Sequence, residues 1–167
     1  MKFLNSFQNK LKLNRKSFLK SGLLTILIIT LAACNSLKTA VFDQYSYQQA
    51  ISIKIESLNL MDKAIEPYTN FEEEAEQLLL DLQKMVEYEK NKPDNEVSYA
   101  MWNVMANKDK NLLAGFFKRW KDKSQLSSIF IGEAKIQVAE ALDLIVKYEA
   151  QKNKTNENNI LGFLSNN

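Results

Sequence analysis

The sequence predicts an all-α fold: an up-down helical bundle of four to five helices. Three observations carry that expectation. Beyond residue 42, apolar residues recur at spacings of three and four, the period of one helix face. Helix-breaking residues are scarce, with four glycines and two prolines in 167 residues, and the prolines fall at 67 and 93, where the apolar pattern pauses. The connections between periodic segments are short, which favours antiparallel neighbours.

The first helix is expected from about Phe42 to Glu66, with Tyr47, Ile51, Ile55, Leu58, Met61 and Ile65 as its core face. Ile51-Ser52-Ile53-Lys54-Ile55 alternates like a strand, but it is embedded in a longer helical period, so helix is the reading taken. Pro67 disfavours helical backbone at Glu66 and ends the element.

Thr69 or Asn70 is expected to cap the second helix, with Glu72 or Glu73 three residues on completing a capping-box spacing. Phe71, Ala75, Leu78, Leu79, Leu82, Met85 and Val86 form its stripe. Lys90-Asn91-Lys92-Pro93 closes it, with lysines near the negative end of the helix dipole.

Asp94 or Asn95 caps a third element, in which Val97, Met101, Val104 and Met105 face one way. The polar run 107–111 interrupts the pattern before Leu112, Leu113, Phe116, Phe117 and Trp120. Two short helices, about 96–106 and 111–123, are the favoured reading. One continuous helix with a polar patch stays open, because the stripe remains roughly in phase.

Ser127 or Ser128 is expected to cap the last long helix, which ends near Gln151. Ile131, Ala134, Val138, Ala141, Leu142, Ile145 and Tyr148 are its core face. The asparagine-rich segment 153–167 reads as a frayed tail. Its apolar cluster, Ile160, Leu161, Phe163 and Leu164, is expected to dock weakly on the bundle or on a membrane.

The start of the chain has a different character. Lys2, Lys10, Lys12, Arg15, Lys16 and Lys20 precede an apolar run from Gly22 to Ala33, with no acidic residue among them. A positive region, a short apolar region and small residues before a cut site make an export signal. The run of about 12 residues falls short of the roughly 20 that a spanning helix needs. Leu31-Ala32-Ala33-Cys34 resembles a bacterial lipobox, and residues 1–34 resemble a lipoprotein signal peptide. That resemblance implies cleavage between Ala33 and Cys34, acylation of Cys34 with palmitate-type chains, and anchoring on the extracytoplasmic face of the bacterial cell membrane or the outer membrane. Asn35 is not the aspartate associated with inner-membrane retention in some bacteria, which permits the outer membrane. The chain then divides into a cleaved signal peptide (1–33), a lipidated tether (34–41), a helical bundle (42–152) and a flexible tail (153–167). Seven residues of extended tether span at most about 25 Å, so the domain would sit close to the bilayer.

Composition narrows the function classes. Without the leader the chain carries 16 lysines and arginines against 20 acidic residues, a net charge of −4. A nucleic-acid partner calls for a basic stripe, so none is expected. Only Arg15 and Arg119 are arginines, which leaves few guanidinium forks for phosphate. The chain has no histidine. That excludes Ser-His-Asp and Cys-His catalysis, histidine bases and nearly all zinc sites. There is no phosphate-cradling glycine loop or nucleophile elbow. No catalytic residue, metal or cofactor is therefore expected.

The candidate sites are few. Cys34 is the lipidation site. Glu72, Glu73, Glu74 and Glu76 read as acids complementing a helix N-terminus, since successive helix residues point in different directions and cannot converge on one ion. Phe116, Phe117, Lys118, Arg119, Trp120 and Lys121 place aromatics opposite basic residues, the composition of an interfacial helix. They are the candidate contact with a membrane or partner, set against ordinary core packing. Tyr45, Tyr47, Tyr88, Tyr99 and Trp102 read as core-edge rings or as a binding patch. The expectation is a non-enzymatic, lipid-anchored envelope protein that binds a protein partner. The alternative is a module that holds a small apolar ligand or lipid.

Overall fold

The computed structural model describes residues 40–166; the expected signal segment, the expected cleavage and lipidation at Ala33 and Cys34, and most of the expected tether lie outside the described residues. Among the described residues are six α-helices and no strand. They are α1 (Gln44–Asp62), α2 (Glu72–Lys90), α3 (Glu96–Met105), α4 (Leu113–Lys123), α5 (Ser128–Ala150) and α6 (Lys154–Ser165). Two 3-10 turns, Lys63–Ile65 and Tyr68–Asn70, join α1 to α2.

α1 is the central helix. Lys54 pairs with Asp143 and Lys135 with Asp62, which sets α1 and α5 antiparallel. On its other side α1 runs antiparallel to α2, with Ser46 bonded to Glu89 where one helix begins and the other ends. A short turn then reverses the chain into α3, with Asp94 in the left-handed region at φ 54°. Aspartate tolerates that region better than most residues.

Being central changes which residues of α1 are buried. The core seam is Ser46, Ala50, Ile53, Ser57, Leu60 and Met61, continuing into Ala64. Ile55 and Ile65, expected inside, are exposed, and Tyr47, Ile51 and Leu58 are half-buried. Small side chains on the seam let α1 approach two neighbours at once, so close packing outranks the transfer of the largest apolar groups. The stripes of α2 and α5 follow expectation more closely. Ala75, Leu78, Leu79, Leu82 and Met85 are buried on the first, and Ile131, Val138, Ala141, Leu142, Ile145 and Tyr148 on the second.

The segment 96–123 is two helices. Asn107 accepts the Asp109 amide at 2.8 Å in the intervening turn. The loop then folds back on α4 so tightly that a β-carbon at Gly115 would lie 1.8 Å from the Lys110 carbonyl oxygen. Ser127 caps α5 by accepting from the Phe130 amide. The expected caps on α2 do not form: Thr69 and Asn70 belong to a 3-10 turn, and Phe71 holds the cap position with no side-chain bond.

The segment 153–167 corrects the expectation of a flexible tail. It forms α6, capped by Asn153, which accepts from the Asn156 amide at 2.9 Å. Asn156 donates its side-chain amide to the carbonyls of Lys147 and Gln151. Ile160 is buried, and Phe163 and Leu164 pack against the core. Asparagine weakens a helix interior but serves well at a cap, which is where two of these residues act. The bundle thus has six helices and runs on through Ser165.

Candidate functional site

The aromatic-basic segment folds as α4 and divides sharply. Phe116, Phe117 and Trp120 are core residues. Trp120 donates its indole N–H to the Glu66 carbonyl at 2.9 Å and meets Tyr68 edge-to-face at 5.3 Å. These rings cannot touch a bilayer or a partner while the domain is folded, which corrects that part of the candidate contact. Only Lys118, Arg119 and Lys121 of the segment reach the surface. Lys121 lies between Glu72 (3.1 Å) and Glu76 (2.9 Å), whose carboxylates hold its ammonium well above the usual lysine range. Half of the acidic run is thereby engaged in surface ion pairs. The Arg119 guanidinium lies over the Phe130 ring at 4.4 Å.

The chemistry that sequence reading missed lies at the end of the bundle where the chain enters α1. Asp43 caps α1 by accepting from the Tyr45 amide at 2.9 Å, and it also accepts from the Tyr88 hydroxyl at 2.8 Å and the Lys92 ammonium at 2.9 Å. Burial pushes the Asp43 carboxyl up, but Lys92, Tyr88 and the Tyr45 amide together hold it well below the usual range. Tyr45 and Tyr88 face each other with ring centroids 4.7 Å apart, and Phe42 packs beside Tyr47 at 6.2 Å. Val41, Phe42, Tyr45 and Tyr88 are all exposed, so this end carries an apolar, aromatic crown.

Beneath the crown runs a buried polar network. Lys92 donates to the Ser46 hydroxyl at 2.9 Å, and Ser46 and the Asn95 amide both donate to the Glu89 carboxylate. Lys152 donates to Glu149 at 2.7 Å, to Ser98 at 2.8 Å and to the Asn95 carbonyl oxygen at 3.3 Å. Lys152 also lies 4.3 Å above the Tyr148 ring. Five residues that are both polar and buried, Ser46, Glu89, Asn95, Ser98 and Glu149, thus meet at one end, drawn from α1, α2, the following turn, α3 and α5. Burial pushes the Lys152 ammonium down, opposed by Glu149. Burial likewise pushes the Tyr148 hydroxyl up to about 12. Glu149 Oε2 has no protein partner. Its lysines are bound to its carboxylates, with Lys92 at the partly exposed edge. It ties four helix ends together. The signal for it was present: Glu89 continues the core phase of Leu82 and Met85, and Glu149 that of Leu142 and Ile145.

Two further surface features matter. The ion pair of Asp62 with Lys135 joins α1 to α5; Ile65 follows in the turn after α1, and Ile129 and Ile136 lie on α5. Ile129 and Ile136 are 75% and 72% exposed. Between α1 and α2 lies an open groove of about 430 Å³ whose lining includes Leu60, Phe71 and Leu78.

Compared with known proteins, the chain matches no family model, no curated protein and no solved structure. Among the described residues, no helix is long and apolar enough to cross a membrane.

Proposed function

We propose that the chain is a lipid-anchored, non-catalytic binding bundle of the bacterial cell envelope, tethered on the extracytoplasmic face through Cys34 and docking a protein partner. The observation that supports docking is the exposure of Ile55 on α1, Ile65 in the turn after it, and Ile129 and Ile136 on α5, two helices bridged by the Lys54–Asp143 and Lys135–Asp62 ion pairs. Exposed apolar side chains with charges around them are the composition of a protein-docking patch. These isoleucines take over the role that the sequence suggested for the rings of α4.

The test is site-specific photo-crosslinking in intact cells. A crosslinking side chain at Ile136 is expected to trap a defined neighbour, and one at Glu73, exposed on α2, to trap none. No adduct from Ile136, with Cys34 acylated and the domain folded, counts against the reading. A second reading, a module for a small apolar ligand or lipid, is favoured by the apolar groove at Leu60, Phe71 and Leu78. Its volume suits a small ligand. Native mass spectrometry of the protein purified from its host distinguishes the two, because a retained lipid-sized adduct supports only the second.

A further inference from the structure

We infer that the crown formed by Val41, Phe42, Tyr45 and Tyr88 seats in the headgroup region of the bilayer. The domain then stands on the membrane by this end and leaves the exposed isoleucines free. The inference rests on the lipid-anchor reading of Cys34 and adds to it an orientation and a membrane contact.

Chain length carries the first part of the argument. Ala40 is six residues from Cys34, and extended chain covers about 3.3–3.6 Å per residue, so Ala40 stays within about 20 Å of an acylated Cys34 and Gln44, where α1 begins, within about 35 Å. The residues forced nearest the bilayer are the ones left bare. Val41 is 84% and Phe42 53% exposed, although both are apolar and directly precede a well-packed helix.

The chemistry of the crown carries the second part. Aromatic side chains with a polar tip concentrate at the membrane–water boundary, ring toward the acyl chains and hydroxyl toward the headgroups. Tyr45 and Tyr88 offer that pairing, their rings tilted by 52° with centroids 4.7 Å apart, and the Tyr88 hydroxyl is already satisfied by Asp43. Asp43 itself is neutralised by Lys92, so the crown brings no unpaired buried charge to the boundary. Lys84 and Lys92, paired with Asp81 and Asp43, border the open depression next to Tyr45 and Tyr88, with Glu87 on the same rim. The buried network below braces the crown by tying the start of α1 to the end of α2. The exposed isoleucines extend to the opposite end of the bundle, where α5 begins. With α1 rising about 1.5 Å per residue over its 19 residues, that lies about 28 Å away.

The experiment uses the full-length protein, processed and acylated in its host and reconstituted into vesicles of phosphatidylethanolamine and phosphatidylglycerol, with or without bromine on the upper acyl chain. Phe42→Trp and Ile129→Trp report the two ends against the constant background of Trp102 and Trp120, both fully buried. The expected result is a blue-shifted Phe42→Trp emission that loses most of its added intensity in brominated vesicles, with Ile129→Trp unaffected. Val41→Trp is a second reporter outside any helix, and is used if circular dichroism shows that Phe42→Trp perturbs the fold. An unquenched, solvent-like signal from these reporters on acylated, vesicle-bound protein overturns the inference. So does a shielded but unquenched signal, which would assign the crown to a protein partner, and so does equal quenching at residue 129, which would lay the bundle on its side. Absence of acyl chains on Cys34 by mass spectrometry is a separate result, and it overturns the anchoring reading itself.

Discussion

Replacing Lys152 by methionine tests the buried network most directly. Lys152 is 3% exposed at its side chain and donates to Glu149, Ser98 and Asn95. Methionine fills much of the same volume but removes the cation. Glu149, fully buried, would then keep only Ser98 as a donor on Oε1 and nothing on Oε2. Leaving a buried charge without its partner costs about 3–5 kcal/mol. A domain of this size has about 5–15 kcal/mol in all, so the melting temperature should fall by roughly 10–20 °C. The assay is thermal and urea unfolding followed by far-UV circular dichroism. Changing Glu149→Leu in the same protein should restore most of the loss, since an apolar pair can replace a buried ion pair. A shift below about 3 °C for the single variant, less than 1 kcal/mol on this scale, or no rescue by the second change, refutes the account of the network.

Other perturbations give independent checks. Because the folded Asp43 carboxyl is held below its unfolded value of about 3.9, it adds stability that is complete above about pH 4 and lost as the pH falls further. Asp43→Asn should flatten that acid limb in urea titrations across the range. Tyr68 and Tyr148 are pushed up to about 12, first by burial. Their contribution is complete below about pH 10 and lost as the pH climbs through the folded value, so Tyr68→Phe should reduce alkaline destabilisation measured by chemical denaturation. Gly115→Ala should be strongly destabilising, because its β-carbon would collide with the Lys110 carbonyl. Gly132→Ala, in open space on α5, should stabilise by about 0.5–1 kcal/mol, as calorimetry would show. Trp120→Ala should cost about 3–5 kcal/mol, while Ile136→Ala should stay within about 0.5 kcal/mol. Equal losses at the two positions would contradict the division between core and contact surface.

Legibility in the sequence followed the kind of residue each helix buries. α2 and α5 each turn a wide stripe of large apolar residues inward, so counting at three and four found Leu78, Leu82, Val138 and Leu142 directly. α1 buries a seam that includes Ser46, Ala50 and Ser57, and its large residues were misplaced. Ile53 is buried while Ile55, two positions and about 200° of helix later, is exposed. The α4 segment left core packing and a contact surface both open, because bulky rings faced lysines. The sequence did not show that Tyr68 and Phe71, from the turn between α1 and α2, arrive to cover Trp120. Composition misjudged the tail for a related reason. A high asparagine content suggests fraying, but Asn153 and Asn156 are spent on backbone groups that only a helix end presents.

By itself, then, the sequence determined the all-α class, the apolar stripes of α2 and α5, and the absence of histidine, while leaving the break between α3 and α4 open. All of these depend on residues near one another along the chain, or on residue types that are simply missing. The tertiary structure decided which faces close and which stay open: the seam of α1, the burial of the α4 rings, the meeting of Glu89, Asn95, Lys152 and Glu149, and the bare crown where α1 begins. Each of these is set by contacts between segments tens of residues apart. Hydrophobic periodicity says that a face must be covered, but the partner that covers it is chosen only when the helices pack.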